Sequence, residues 1–285
     1  MRIAYLNGDF VRETEAVIPI RDRSFLYGDG LFETLRVYGG VPFAWIEHAR
    51  RLLQGAQILG IPGLNPGRLE QAAQDLIRRN RASSAVLRVH ISRGAGHRGY
   101  STRGTNRPTT LITLHALPKD SRWKAHPVDL RTSSWRIPSD ARLAVCKSAS
   151  KLVHILARDE AEGRGGRAAL LLNTRDEVAE ADSANFFWIA GGRLWTPPLE
   201  SGALDGVTRR IVLDLCPTED IAVGERTLPA SEIGRIQSAF LTSSVREIVR
   251  VARLDGRRLG SHPSIGRLQR AYRRRVLEGC ELSGP

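Results

Sequence analysis

The chain has 285 residues, 41% hydrophobic and 26% charged, enough for two modest domains that each bury a core without disulfide staples. No uninterrupted apolar run approaches the roughly 18 residues of a membrane span, and residues 1–10 show no basic segment followed by an apolar stretch and a small-residue cleavage site, so a cytoplasmic protein is expected. The net charge of +13 invites a nucleic-acid reading, but the arginines are spread along nearly the whole chain and the aromatic residues, 6%, are not interleaved on a basic sheet. The one local run, Arg273-Arg274-Arg275, falls in an amphipathic helix pattern, where a solvated face is the simpler reading. Neither nucleic acid nor membrane is expected as a partner. Cys146, Cys216 and Cys280 are scattered without a CxxC pair, which fits a reducing compartment.

In chain order, Asn7-Gly8 supplies the positive φ angles of a tight turn, so the chain opens with a hairpin. Extended structure is predicted for Ala16 to Ile20 and Leu31 to Val37. Helical spacing follows through Ile46, Ala49, Leu52, Leu53, Ala56 and Leu59, and a further helix over Leu69 to Arg79. Val86 to Ile91 and Thr109 to Leu114 alternate as strands, and residues 116–122 form the expected linker between a small N-terminal domain, 1–115, and a larger one, 123–285. Beyond it, Val128 to Arg131 reads as extended, Ser148 to Glu162 as a helix and Ala168 to Leu172 as a buried strand. Gly191-Gly192 joins the strands Phe186 to Ile189 and Arg193 to Thr196. A helix starts at Val207 directly after Asp205-Gly206, Ala239 to Thr242 and Ile248 to Leu254 are strands, and Ile265 to Leu277 closes the chain as a helix. The mixture is neither a regular βαβ alternation nor a separate helical block, so the fold class is α+β or mixed α/β in two domains.

Lysine occurs only at Lys119, Lys124, Lys147 and Lys151, so any lysine chemistry has four candidates. Lys147 stands at a strand or loop end ahead of a helical pattern, where an amine can be held in a pocket; Lys151 reads as snorkelling to solvent. Glu180 is a carboxylate able to keep a pyridine nitrogen protonated and so make the ring an electron sink. Asp205-Gly206-Val207-Thr208-Arg209 puts a glycine ahead of a helix whose first amides lack internal partners, a setting that favours phosphate. Thr242-Ser243-Ser244 adds hydroxyl and amide donors, and Arg51 offers a fixed charge with bidentate geometry. Each feature alone has an ordinary alternative: a surface lysine, an exposed glutamate, a glycine cap.

Together, and in this order, they resemble the fold-type IV enzymes that use pyridoxal 5′-phosphate, among them branched-chain and D-amino acid aminotransferases, R-selective amine transaminases and aminodeoxychorismate lyases. Tyr27-Gly28-Asp29-Gly30-Leu31-Phe32-Glu33-Thr34 is similar to the N-terminal signature of that family, and His48-Ala49-Arg50-Arg51-Leu52 to its helix motif. Lys147-Ser148 resembles the Schiff-base site, Glu180 the pyridine-nitrogen partner, Asn185-Phe186-Phe187 the strand after it. Thr196-Pro197-Pro198-Leu199 and Gly206-Val207-Thr208-Arg209 resemble the phosphate region. The resemblance implies a two-domain α/β protomer with the cofactor in the crevice between domains, and a homodimer in which a partner loop completes the pocket. It implies cofactor contacts from Arg51, Lys147, Glu180, Gly206, Val207, Thr208, Ser243 and Ser244, and substrate contacts from Tyr27, Phe32, Arg98 and Tyr100. Branched-chain members carry a tyrosine five residues after the lysine; Leu152 stands there in this chain, as leucine does in D-amino acid enzymes and lyases.

The loop Ser92-Arg93-Gly94-Ala95-Gly96-His97-Arg98-Gly99-Tyr100-Ser101 resembles that of aminodeoxychorismate lyases, with Arg98 and Tyr100 offering a guanidinium fork and a hydroxyl to an acid. The reading this favours is a lyase acting on an amino-acid-like carboxylate and releasing pyruvate and 4-aminobenzoate. The alternative is transfer of an amino group between an amino acid or amine and a 2-oxo acid.

Overall fold

The computed structural model describes residues 2–117, 126–139, 142 and 145–281. They pack as two compact units: the described residues of 1–118, 146–151 and 278–285 form one, and those of 119–145 and 152–277 the other. Most of the expected linker, 118–122, lies outside the described residues.

In the first unit, β1 (Ile3–Leu6) and β2 (Asp9–Arg12) form the expected hairpin, with Asn7 at φ 52° and Gly8 at φ 116° in its turn. With β3 (Gly30–Tyr38), β4 (Val41–Pro42), β5 (Ser84–Ser92) and β6 (Thr109–His115) they make an antiparallel sheet in the order β2-β1-β6-β5-β3-β4. The short helix α1 (Arg23–Tyr27) is capped by Asp22, which accepts from the amides of Ser24 and Phe25. α2 (Trp45–Leu59) and α3 (Pro66–Arg79) bury their apolar stripes. α3 starts with Pro66, and the Asn65 side chain accepts from the Arg68 amide, satisfying a donor the helix cannot. Alternation along β3 sends Leu31, Glu33, Leu35 and Val37 to one side, where Glu33 meets α2 and Leu31 lies against Gly55, and Phe32 and Thr34 to the other.

Two expectations fail here for physical reasons. Ala16 to Ile20 joins no strand among the described residues: Pro19 has no amide to donate, and Val17 and Ile20 stay exposed. Residues 148–151 are not helical. Ser148 bridges to Leu31, the Phe32 amide donates to the carbonyl of Lys147, and the Ala149 amide donates to that of Gly30. Lys147 is therefore tied as a short extended segment to the start of β3, and helix begins only at Leu152.

The second unit is built on β7 (Val128–Ile137), β8 (Ala168–Asn173), β9 (Val178–Ala181), β10 (Asn185–Ala190), β11 (Arg193–Thr196), β12 (Val223–Glu225), β13 (Ser238–Ser243), β14 (Glu247–Leu254) and β15 (Arg257–Arg258). The order is β12-β11-β10-β13-β14-β7-β8-β9, with β15 on β14; β7 runs parallel to both β8 and β14. α4 (Leu152–Gly163) lies on the chain between the parallel pair β7 and β8 and packs Val153, Ala157 and Ala161 on Ala169, Leu171 and Ala179. Leu130, Leu170, Leu172, Phe186, Trp188 and Leu241 belong to a second cluster. Burial on both faces explains why Ala168 to Leu172 reads as a continuous apolar run. α5 (Val207–Thr218) and α6 (Pro263–Glu281) complete the unit's helices among the described residues. On α6, the exposed Arg274 pairs with Glu219, whereas Arg273 is half-buried and pairs with the buried Glu247 at 2.9 Å.

Candidate active site

In the first unit, Lys147 stands beside the start of β3. Anchored to β3, Lys147 holds its Nζ 4.9 Å from the centre of the Phe32 ring. On the far side of β3, Glu33 is almost fully buried and accepts three bonds: from Arg51 Nε at 2.8 Å, Arg51 Nη2 at 2.6 Å, and His48 Nδ1 at 2.6 Å. Burial alone would raise its carboxyl, but the Arg51 guanidinium and His48 overcome that and hold it at about 2. Burial also pushes the His48 imidazole down, with Glu33 opposing and Arg51 and Lys147 reinforcing. Arg51 thus donates from Nε and Nη2 to Glu33, which fixes its position on α2.

The glycine-rich loop is organised from α1. Arg23 Nη1 donates to the carbonyls of Gly99 at 2.9 Å and Ser101 at 3.2 Å, and its Nε to Asp29 at 2.8 Å. Tyr27 Oη accepts the Gly99 amide at 3.1 Å, and its ring meets that of Tyr100 edge-on at 5.7 Å. Gly94 is obligatory at φ 93°, since a Cβ there would collide with the Arg107 carbonyl. The result is a shaped loop whose tip, Arg98 and Tyr100, faces outward: Tyr100 is 87% exposed, and Arg98 is exposed with no hydrogen-bond or ion-pair partner among the described residues. Tyr27 thus supports the loop; among the described residues no hydrogen bond, ion pair or ring contact joins Arg98 or Tyr100 to Lys147 or Phe32.

Glu180 and the head of α5 belong to the second unit. Glu180, on β9, is 8% exposed and accepts the Leu204 amide on Oε2 at 2.8 Å. Asn185 Nδ2 donates to the Leu204 carbonyl at 2.7 Å, and a Cβ on Gly206 would collide with Asn185 Oδ1, so only glycine fits the turn into α5. No side chain caps α5, leaving the first amides, at Val207 and Thr208, without internal partners. Thr242, opposite Asn185 in the β10–β13 register, has a buried hydroxyl without a partner among the described residues, and so does Thr208. Two orphaned hydroxyls beside an uncapped helix start fit a phosphate ester. Ser243 Oγ accepts the Arg246 amide at 3.3 Å at the end of the same strand, and Ser244 follows it.

Residues 30–254 match the family model for amino-transferase class IV. The chain belongs to that family. It is accordingly a pyridoxal-phosphate enzyme. A Methanocaldococcus jannaschii protein provisionally described as a branched-chain-amino-acid aminotransferase is 34% identical over 89% of this chain and 88% of its own. An aminodeoxychorismate lyase of Vibrio harveyi is 28% identical over 89% and 93%. Among solved structures, a branched-chain aminotransferase of Thermoproteus uzoniensis with norvaline superposes with a TM-score of 0.90 at 28% identity, covering 98% of this chain and 95% of that one. A 4-amino-4-deoxychorismate lyase from Pseudomonas aeruginosa gives 0.84 at 27%, covering 95% and 98%. Branched-chain enzymes are thus among the relatives despite Leu152, which sits at the head of α4 with 65% of its surface exposed.

Two further residues of this class IV enzyme escaped the sequence reading. Arg88 on β5 lies 3.9 Å from the centre of the Phe32 ring, partly buried, with no anionic partner among the described residues, and burial lowers its guanidinium pKa. Its strand alternation was visible in the sequence; the register that sets Arg88 opposite Thr34 and His90 opposite Phe32 was not. His154 on α4 reaches Glu180 at 3.3 Å. Its place in a helical pattern gave no sign of that contact.

Proposed function

We propose that the protein is a transaminase that moves an amino group between an amino acid and a 2-oxo acid, one of the two being a dicarboxylate. Arg88 carries this reading: two cations, Arg88 and Lys147, attend one aromatic ring, and the Arg88 guanidinium has no counter-ion among the described residues. A partly buried guanidinium left unpaired costs stability unless an anion completes it, and a second carboxylate on the substrate does so with fork geometry. Bound pyridoxal phosphate supplies an electron sink conjugated to the substrate's α-carbon. Lys147 would hold the cofactor covalently, and its amine, when free, would serve as general base for the substrate's α-proton. Glu180 would keep the ring nitrogen protonated. Thr208, Thr242, Ser243, Ser244 and the amides at the head of α5 hold the phosphate, with Arg51 adding positive charge from a position fixed by Glu33. Phe32 forms the floor beside Lys147. Arg98 and Tyr100 project outward to the substrate carboxylate of a second copy in a homodimer, which their exposure supports.

A second reading, the pyruvate-releasing lyase, is favoured by the ordered loop around Gly99 and Tyr100. Incubation of the enzyme with glutamate and a series of 2-oxo acids, and separately with aminodeoxychorismate, tests both. The transaminase reading expects amino transfer, and for Arg88→Ala a KM for the dicarboxylate raised about tenfold or more, with monocarboxylates spared. Pyruvate release from aminodeoxychorismate without amino transfer to any 2-oxo acid would replace it with the lyase.

A further inference from the structure

Glu180 is gripped from two sides. The Leu204 amide donates to Oε2 at 2.8 Å, and His154, on the first turn of α4, places Nε2 3.3 Å from Oε1. The ion-pair geometry is largely shielded from water, with side-chain exposures of 16% for His154 and 10% for Glu180. His154 Nδ1 is buried without a partner among the described residues. A neutral imidazole has one N–H to place. On Nδ1 it would leave a buried donor unpaired and turn the Nε2 lone pair against a carboxylate oxygen; on Nε2 it donates to Glu180 and orphans only a lone pair. The hydrogen-bond pattern therefore assigns the Nε2–H tautomer. Arg158, one turn further along α4, is engaged by Asp182 Oδ2 at 3.0 Å and does not compete for the site.

We infer that His154 is a positioning residue: by donating Nε2–H to Glu180 it fixes, together with the Leu204 amide, the orientation in which the carboxylate meets the cofactor's ring nitrogen. The inference rests on the proposal that Glu180 is the ring-nitrogen partner. A freely rotating carboxylate would have to be ordered in each turnover, whereas one clamped on both oxygens is ordered beforehand.

Three variants test this, each measured for kcat and KM, for pyridoxal-phosphate affinity by titration of the apoprotein, and for folding by thermal unfolding. Nitrogen-15 NMR of the apoprotein should show His154 protonated on Nε2. His154→Leu should lower kcat about tenfold, the worth of a hydrogen bond to a charged group, leave KM nearly unchanged and weaken cofactor binding. His154→Gln, which keeps an N–H donor at the Nε2 position, should restore most of the loss. A His154→Leu enzyme with wild-type kcat and cofactor affinity, beside a crippled Glu180→Gln enzyme, overturns the role of His154 and leaves that of Glu180 standing. So does a loss that His154→Gln fails to restore. Wild-type turnover and cofactor affinity in Glu180→Gln overturn the underlying assignment, and this inference with it.

Discussion

The Glu33 cluster and the head of α5 are both buried, both polar and both within the family's signature, yet their hydrogen bonding differs. Each oxygen of Glu33 is used, and Arg51 and His48 answer it within 2.8 Å. At the head of α5, the hydroxyls of Thr208 and Thr242 are buried without partners among the described residues and the helix start is uncapped. A saturated buried network holds the protein's own structure, whereas an unsaturated one is paid for by what binds there. The contrast fits the proposal that Glu33, Arg51 and His48 shape the site while Thr208 and Thr242 take the ligand.

The largest effect is expected on stability, from Glu33→Gln. Removing the charge leaves the Arg51 guanidinium buried without its counter-ion, a change worth about 3 kcal/mol. The pH dependence follows from the direction of the shift. Burial would raise the Glu33 carboxyl, but Arg51 and His48 hold it at about 2 against an ordinary 4.5. Its contribution is therefore present in full above pH 4.5 and lost as the pH falls from there toward 2. His48, lowered chiefly by burial from an ordinary 6.5, acts in the same direction, since below that pH the unfolded chain takes up a proton that the folded one resists. Acid unfolding followed by circular dichroism should be steep below pH 4.5 in the wild type and flatter in Glu33→Gln. Equal acid slopes in the two proteins would remove Glu33 from the account.

Next in size is Glu180→Gln, which should bind the cofactor but turn over on the order of a hundredfold more slowly, because a neutral amide stabilises a protonated ring nitrogen less well. Thr208→Val and Thr242→Val turn the comparison around. Each deletes a hydroxyl that has no partner among the described residues, so the apoprotein should unfold at a temperature equal to or above that of the wild type, while cofactor affinity drops about tenfold. A valine variant that loses stability but binds pyridoxal phosphate normally would make these hydroxyls structural. The smallest effect is expected from Arg98→Ala. An exposed arginine contributes little to folding, so stability and cofactor retention should stay as they are, while KM for a carboxylate substrate rises up to about tenfold. Unchanged kinetics with every carboxylate substrate would mark the loop as structural.

What was legible in the sequence was local. Asn7-Gly8, the buried run 168–172 and the Asp205-Gly206 entry to α5 announce themselves through residue type and spacing, whereas Lys147 stands out from the other three lysines only through the family resemblance. Features that depend on which strand lies beside which were not legible. Ser148 to Lys151 carry a helical pattern, yet three backbone links to residues 30–32 draw the segment along β3. Arg51 sits one turn from His48, which the sequence shows, but its engagement by Glu33, 18 residues away, depends on α2 folding back over β3. Arg88 and His154 were missed for the same reason. Their neighbours, Phe32 and Glu180, are 56 and 26 positions away, and no pattern within a single element encodes them.

Of the four lysines, Lys147 is the one proposed to carry the cofactor. Borohydride reduction of the holoenzyme followed by peptide mapping tests it most directly: the phosphopyridoxyl tag should appear on the peptide containing Lys147 and vanish in Lys147→Ala. A tag on Lys119, Lys124 or Lys151 in the wild-type enzyme would contradict it.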